Sequence, residues 1–92
     1  MTVNCQNVLW HEIIGLGAKI LESSDLTLQG RDGTIVFETK NTIFIRKDSA
    51  VRQVAKKAAK RLQVQAPSCV CFISGSALIG RPEDRIERLN NG

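Results

Sequence analysis

The sequence predicts a mainly β protein: a small antiparallel barrel of about six strands, with a short helix near each terminus. Short runs of β-branched and aromatic residues recur along the chain between turn-forming segments. No helices alternate regularly with these runs, as a parallel sheet would require, so antiparallel pairing is favoured. With 92 residues, the chain is expected to form one domain, comprising an N-terminal helical segment (1–15), the barrel (16–80) and a C-terminal segment (81–92).

The clearest element is a hairpin in residues 33–45, where two β-rich runs flank the polar segment 38–42. Thr, Ile, Val and Phe favour a half-buried sheet, and the turn formers between them let the second run fold back beside the first. A lone hairpin is only marginally stable in water, so other strands must cover its apolar face. We expect such strands in residues 16–22 and 69–73.

Residues 51–65 fit two different structures. A set of apolar residues recurs at helical spacing, which predicts a basic amphipathic helix. The set is Val51, Val54, Ala55, Ala58, Ala59 and Leu62. Against this, residues 61–65 alternate polar and apolar side chains with a period of two, and β-branched valines favour strands. The pattern alone leaves a helix and a strand–turn–strand unit both open.

The termini carry helix signals. Asn4 suits the N-cap of a short helix in which Val8, Leu9 and Trp10 are placed to pack against the sheet. Near the other end, Pro82 stands close to a helix start, with acids in the first turn and arginines later. This is the order that the helix dipole favours.

Positive charge is concentrated in the middle of the chain. The net charge is +4, yet residues 44–65 contain only one acid, Asp48. The cations there are Arg46, Lys47, Arg52, Lys56, Lys57, Lys60 and Arg61. A focused positive field attracts nucleic-acid phosphates through counterion release, so we expect these side chains to contact phosphates. The alternative is a basic face that is merely solvated.

Three further cations are candidates for the same role. Lys40 lies at the predicted hairpin tip. Arg81 and Arg85 either reach the nucleic acid or pair with neighbouring acids, and both readings stay open. The chain has three Phe, one Trp and no Tyr, so stacking on unpaired bases is expected to be a minor mode of binding.

No catalytic constellation is present in the sequence. We expect the one histidine, His11, to pack or to donate a hydrogen bond rather than to act as a general base. The cysteines are three in number, Cys5, Cys69 and Cys71, and the Cys-x-Cys spacing of the last two is poor for an internal disulfide, so we expect reduced thiols. They also lack the Cys-x-x-Cys spacing of structural zinc sites, so we expect no metal and no cofactor bound by this chain. No apolar run is long enough for a membrane span and no signal peptide is evident, so a cytoplasmic location is expected.

Three segments resemble sequence blocks of one family. Residues 10–16, Trp-His-Glu-Ile-Ile-Gly-Leu, resemble a His-Glu-Leu-Ile-Gly-Leu block, and residues 38–42 resemble a Glu-Thr-x-Asn-Thr hairpin. Residues 80–85 match a C-terminal Gly-Arg-Pro-Glu-Asp-Arg signature. The order and spacing of these motifs fit across residues 7–89. The chain therefore resembles the archaeal and eukaryotic ribonuclease P protein component 1 family.

This resemblance implies a fold and a function. Family members are Sm-like barrels, which implies a strand–turn–strand unit in residues 51–65, although Ala55 stands where a Pro is common. They are accessory subunits of ribonuclease P, the endonuclease that removes the 5′ leader of precursor tRNA and whose catalytic centre belongs to its RNA. The resemblance thus implies a non-catalytic, RNA-binding subunit of a ribonucleoprotein that needs magnesium at the RNA.

It also implies partners. These are the ribonuclease P RNA, the zinc-containing ribonuclease P protein component 4, other protein subunits, and precursor tRNA within the holoenzyme. Val8, Leu9 and Trp10 are candidates for the interface with component 4, although side chains of this kind are more often core. Two alternatives stay open: an Sm-like RNA-binding module outside ribonuclease P, and a protein-interaction domain whose basic loop is only solvated.

Overall fold

Six antiparallel strands form one sheet in the computed structural model, which describes residues 8, 13–67, 69–80 and 84–85. The strands are β1 (Gly17–Ser23), β2 (Asp32–Glu38), β3 (Thr42–Lys47), β4 (Ala50–Ala55), β5 (Ala59–Gln65) and β6 (Val70–Ile73), followed by a 3-10 helix (Gly75–Leu78). Every neighbouring pair is antiparallel, in the order β4-β3-β2-β1-β5-β6. The predicted mainly β fold of about six strands is confirmed.

The connection between β4 and β5 shows that the sheet curls into a barrel. These strands are the first and fifth in the sheet order, which in a flat sheet would separate them by about 19 Å. The chain joins them through Lys56, Lys57 and Ala58, a connection that spans at most about 14 Å. Register shifts in the β1–β5 and β2–β3 pairs add the local bends that such curvature needs.

The barrel interior is filled by one face of each strand. Ile20 of β1 lies opposite Leu62 of β5, and Ile43 of β3 lies opposite Val54 of β4. All four side chains are buried, together with Ile35 of β2. Since paired residues in an antiparallel ladder project from the same face, this register gathers the aliphatic side chains into one core.

Residues 51–65 form a strand, a turn and a second strand, as the family resemblance implies. The helical spacing is coincidental, because Val51 and Ala55 point to solvent while Val54, Ala59 and Leu62 are buried. A helix with one apolar stripe would have buried all five. The alternation of polar and apolar side chains in residues 61–65, which favours a strand, therefore agrees with the structure, and the helical spacing does not.

The helices of the structure differ from those expected. The 3-10 helix at Gly75–Leu78 is not predicted by the sequence pattern, which indicates only a break after β6. The predicted terminal helices lie outside the described residues except for Val8, which is buried, and Asp84 and Arg85, whose backbone is helical. No helix with the length and hydrophobicity of a membrane span occurs in the described part of the chain.

The cysteines also depart from expectation. Cys71 lies on β6, and Cys69 is the residue just before this strand. The sulfur atoms of Cys69 and Cys71 are 3.8 Å apart. Cys71 is disulfide-bonded, but not to Cys69, because a sulfur–sulfur distance of 3.8 Å is far longer than a disulfide bond of about 2.05 Å. The expectation that all the thiols are reduced is therefore wrong for Cys71.

Candidate nucleic-acid interface

Most of the predicted phosphate-binding side chains are exposed. The seven exposed cations of the predicted set are Lys40, Arg46, Lys47, Arg52, Lys57, Lys60 and Arg61. They come from the β2–β3 turn, from β3, β4 and β5, and from the β4–β5 turn. Exposed ammonium and guanidinium groups are free to exchange solvent contacts for phosphate contacts, so these residues form the candidate interface.

Lys56 is a correction to the predicted set, because its side chain is fully buried. Its Nζ lies 2.9 Å from Glu38 Oε2 and donates to the carbonyl oxygens of Thr39, Lys40 and Gly80 at 2.8, 3.2 and 2.8 Å. A buried ammonium must be paired and hydrogen-bonded, and these oxygens meet that need. The folded chain therefore does not present Lys56 to a phosphate.

Arg85 is the second correction. Its Nη2 donates to Glu38 Oε1 at 3.1 Å and its Nη1 to Glu38 Oε2 at 3.3 Å, a two-pronged contact with one carboxylate. Nη1 also donates to the carbonyl oxygens of Leu78 and Gly80 at 3.0 and 2.8 Å. The guanidinium is buried, so of the two readings left open for Arg85, pairing is right, although the acid is Glu38. Arg81 lies outside the described residues.

The Glu38 cluster, which we define as Glu38, Lys56 and Arg85, joins three distant parts of the chain. Glu38 ends β2, Lys56 begins the β4–β5 turn, and Arg85 follows the 3-10 helix. Sequence reasoning assigned no role to Glu38, although Glu38 and Arg85 both belong to the hairpin and C-terminal motifs that carry the family resemblance. Two cations share one carboxylate, and backbone carbonyl groups supply the remaining acceptors.

This cluster also sets the positions of two exposed lysines. The Lys56 backbone N–H donates to the Asn41 carbonyl oxygen at 2.8 Å, while its side chain holds the carbonyl oxygen of Lys40. The β2–β3 turn and the β4–β5 turn are therefore in direct contact. Lys40 and Lys57, which are both exposed, lie on these adjoining turns.

A second group of cations lines a cavity at the end of β3 and the start of β4, away from these two turns. Lys47 and Arg52 lie there with Arg31, a residue that sequence reasoning did not select. Lys47 Nζ forms a 2.9 Å ion pair with Asp32 Oδ1. The hydrogen bond and charge of Lys47 lower the pKa of the Asp32 carboxyl from its usual value, and Asp32 raises the pKa of Lys47 in the same way.

The remaining exposed cations lie on the outer surface of the strands. Arg46 pairs with Thr34 on β2 and with Val51 on β4. Arg61 pairs with Glu22 on β1, and Lys60 precedes it at the start of β5. The exposed cations thus occupy both turns and several strands instead of a single loop.

The other predicted site residues are only partly described. Val8 is fully buried, so its side chain contributes to the core and not to an exposed interface, while Leu9, Trp10 and His11 lie outside the described residues. Within the described ranges, no three His, Cys, Asp or Glu side chains group as metal ligands. The prediction that the chain binds no metal stays a prediction.

Fold and surface together define a small antiparallel β-barrel that displays lysine and arginine side chains on its strands and turns. A family model described as ribonuclease P/MRP, subunit p29, matches residues 6–88. The ribonuclease P protein component 1 of Methanococcus maripaludis is 36% identical over 86 residues, which cover 90% of this chain and 90% of that protein. That of Desulfurococcus amylolyticus is 37% identical over 91 residues, covering 98% and 99%.

A solved structure is similar as well. The structure of Mth11, described as a homologue of human RNase P protein Rpp29, matches with a TM-score of 0.60 and 38% identity, covering 83% of this chain and 99% of that one. The chain belongs to the ribonuclease P/MRP subunit p29 family, whose archaeal members are named ribonuclease P protein component 1. The prediction from the three sequence motifs is confirmed, and the barrel is of the Sm-like type that this family implies.

Proposed function

We propose that this chain is a non-catalytic protein subunit of ribonuclease P that binds the catalytic RNA and supports removal of the 5′ leader from precursor tRNA. Membership of the family supports the assignment to ribonuclease P. The observation that carries the RNA-binding role is the set of seven exposed cations described above, displayed by a rigid barrel. Ribonuclease P protein component 4 is the proposed protein partner, and the cytoplasm is the proposed location.

The proposed mechanism is electrostatic. Exposed lysines and arginines replace the counterions of RNA phosphates, which gives affinity without reading the bases. The barrel contributes by fixing these cations relative to one another, since Lys40 and Lys57 are carried on turns that the Glu38 cluster ties together. Bond cleavage is left to the RNA and to the magnesium ions bound there.

Two other functions compete with this proposal. An Sm-like RNA-binding module outside ribonuclease P would share the cations, but the family match favours ribonuclease P. A protein-interaction domain would use its cations only for solubility. The salt dependence of RNA binding separates that last function from the other two.

Salt titration of binding to ribonuclease P RNA tests the proposal. Affinity should fall steeply as salt rises, and the combined variant Lys57→Ala, Lys60→Ala and Arg61→Ala should flatten the slope of log K against log salt. The expected change is about 0.7–0.9 for each phosphate contact that is lost. All three side chains are exposed, so this variant should fold as the wild type does.

The matched control keeps the charge at the same positions: Lys57→Arg, Lys60→Arg and Arg61→Lys. Its salt slope should equal that of the wild type, because counterion release depends on charge and not on the shape of the head group. An unchanged slope in the alanine variant would instead favour the protein-interaction domain.

A further inference from the structure

The outer face of β1, β5 and β6 carries a row of three different side chains. Lys19 on β1 lies opposite Gln63 on β5, and Gln63 lies opposite Phe72 on β6. Opposed residues in antiparallel strands project from the same face, and the neighbours of Gln63 on β5, Leu62 and Val64, are buried on the other face. Since adjacent strands are about 4.8 Å apart, the row places a cation, an amide and an aromatic ring within about 10 Å. We call Lys19, Gln63 and Phe72 the outer row.

Phe72 is the unusual member of the outer row. It is 62% exposed, on a four-residue strand at the edge of the sheet. This strand contains no charged residue. Sheet edges are commonly protected by charged side chains, because an exposed apolar edge promotes association. An exposed ring at this position therefore indicates a surface that binds a partner.

The side-chain amide of Gln63 is available to such a partner. Gln65, two residues further along the same face, donates from Nε2 to the carbonyl oxygens of Ala66 and Cys69 at 3.1 and 3.5 Å. The described residues show no corresponding hydrogen bond for the half-buried side chain of Gln63. A glutamine amide both donates and accepts hydrogen bonds, so it can pair with the polar edge of a base.

Lys19 supplies the charge of the outer row. It is exposed, and within the described ranges no ion pair holds it. Asp32 lies opposite Lys19 on β2, but its carboxylate forms the 2.9 Å ion pair with Lys47. The three groups together keep one net positive charge. Glu22, the other acid on this face, lies opposite Arg61.

A groove beside the row leaves space for a ligand. Its volume is about 340 Å³, and both Lys19 and Gln63 line it. Gly17 lies on the same face, opposite Gln65, and a Cβ there would meet only the Gln65 Cβ, at 3.4 Å. The absence of a side chain at Gly17 therefore keeps the groove open next to the cation and the amide.

We propose that the outer row binds one unpaired nucleotide of an RNA strand. The base stacks on Phe72, the Gln63 amide bonds the edge of the base, and Lys19 contacts the phosphate. The groove beside Lys19 holds the sugar and the phosphate. An apolar protein surface would cover Phe72 but would also bury the amide and the ammonium without partners, which is unfavourable. A nucleotide offers a suitable group to each of the three side chains.

This inference rests on the proposed function, because it names a site at which the same subunit contacts RNA. It differs from the contacts of the seven exposed cations, which need only a phosphate backbone. The outer row needs a base that is not paired. With few aromatic residues in the chain, stacking is confined to this one nucleotide.

Amide NMR titrations of the full 92-residue chain test the site. The probes are a uridine RNA hexamer and an abasic hexamer with the same ribose-phosphate backbone. The uridine hexamer should shift the amides of Lys19, Gln63 and Phe72. It should also bind at least about fivefold more tightly than the abasic hexamer, because stacking of a base on an aromatic ring contributes that much or more.

Three variants separate the roles of the side chains. Phe72→Ala should weaken binding of the uridine hexamer about 5-fold to 150-fold and leave binding of the abasic hexamer unchanged. Gln63→Met should weaken only the uridine hexamer, about fivefold. Lys19→Gln should weaken both hexamers and lower the slope of log K against log salt by about 0.7. Phe72 is exposed, so Phe72→Ala should keep the fold, and its amide spectrum away from the row checks this.

Phe37→Ala is the matched control, because Phe37 is an exposed phenylalanine (55%) on β2, outside the outer row. It should bind the uridine hexamer within about twofold of the wild type. Equal weakening by Phe72→Ala and Phe37→Ala, no shift at the three amides, or equal binding of the two hexamers would overturn the inference. Unchanged binding of the uridine hexamer by Phe72→Ala would also overturn it. Weaker binding of that variant to purified ribonuclease P protein component 4 would then assign the face to a protein.

The same samples separate this inference from the proposed function. Salt-dependent binding of ribonuclease P RNA by the wild type, with no response at the outer row, would contradict only the inference. Absence of that RNA binding would contradict the proposed function.

Discussion

Glu38 holds three parts of the chain together. These are the β2–β3 hairpin, the β4–β5 turn and the segment after the 3-10 helix. Its side chain is 2% exposed and faces two buried cations, Lys56 and Arg85. Removing charges from water is expensive, and attraction offsets this only when the remaining donors and acceptors are also satisfied. No buried side-chain nitrogen or oxygen among the described residues lacks a hydrogen-bond partner.

Neighbouring lysines provide a test of this assignment. Lys56→Met removes the ammonium that Glu38 and three carbonyl oxygens share, so we expect the free energy of unfolding to fall by about 3–5 kcal/mol. Lys57→Met changes an exposed side chain and should alter it by about 0.5 kcal/mol or less. Urea denaturation followed by tryptophan fluorescence measures both.

The salt slope of RNA binding should change in the opposite order to stability: Lys57→Met should alter it more than Lys56→Met, because only Lys57 is exposed. At temperatures where both variants are folded, Lys57→Met should flatten the salt slope of binding to ribonuclease P RNA, while Lys56→Met should leave that slope unchanged, because a buried ammonium contacts no phosphate. Lys56→Met should still lose some affinity, since Lys56 helps to hold the turns that carry Lys40 and Lys57. Equal stability of the two variants would contradict the buried assignment.

Single-sequence reasoning placed both lysines in one basic set for a physical reason. Lysine is almost never fully buried unless it is paired, so exposure is the default expectation. The partner of Lys56 is Glu38, which is distant in sequence and becomes a neighbour only when the barrel closes. The hint available in the sequence is that Glu38 and Arg85 each stand in a motif of the family resemblance.

The 3-10 helix is the element that covers the β4–β5 turn. It begins at Gly75 after the N-cap Ser74, whose side chain accepts a hydrogen bond from the Ser76 N–H. A Cβ at Gly75 would collide with the backbone carbonyl oxygens of Lys56 and Ala59. Only glycine allows the helix to approach the turn this closely.

Gly75→Ala should therefore destabilise the protein. Backbone atoms cannot rotate away as a side chain can, so the helix or the turn must shift, at a cost of about 1–3 kcal/mol. The control is Ala77→Ser, a change at an exposed position of the same helix, which should have little effect. Thermal unfolding measures both variants, and an unchanged Gly75→Ala midpoint would show that the contact is not close.

Most strands could be predicted at the level of elements, and the exceptions have identifiable causes. Strand β1 was expected in residues 16–22 and runs from Gly17 to Ser23. Residues 51–65 were ambiguous, because alanines suit either structure and the three-residue turn falls where helical spacing continues. The 3-10 helix is too short to produce a periodic signal.

As a whole molecule, the barrel separates two kinds of cation. Lys56 and Arg85 are buried and paired with Glu38, whereas Lys40, Lys57 and the other exposed cations lie on the surface. The exposed group extends from the joined turns to the cavity at the other ends of β3 and β4 and to the outer surface of the strands. Under the proposed function, we expect cations spread this widely to contact a folded RNA backbone at several points.

Most of the fold was predictable from strand spacing, and the family resemblance supplied the strands in residues 51–65. The division between inward and outward cations was not predictable in this way. Alternation along each strand indicates which face is apolar, and that is enough to specify a barrel core. It does not indicate which turns meet across the barrel. That depends on three-dimensional closure, and therefore Lys56 and Arg85 could be separated from the exposed cations of the predicted set only once the structure was known.

Reconstituted cleavage of precursor tRNA tests the central claim most directly. Ribonuclease P RNA and the partner subunits are assayed with and without this chain across a magnesium series, and the purified chain is assayed alone. We expect the chain alone to cleave nothing, and its addition to lower the magnesium concentration needed for cleavage, because protein cations share the neutralisation of RNA phosphates. Cleavage by the purified chain, or an unchanged magnesium requirement, would contradict the account.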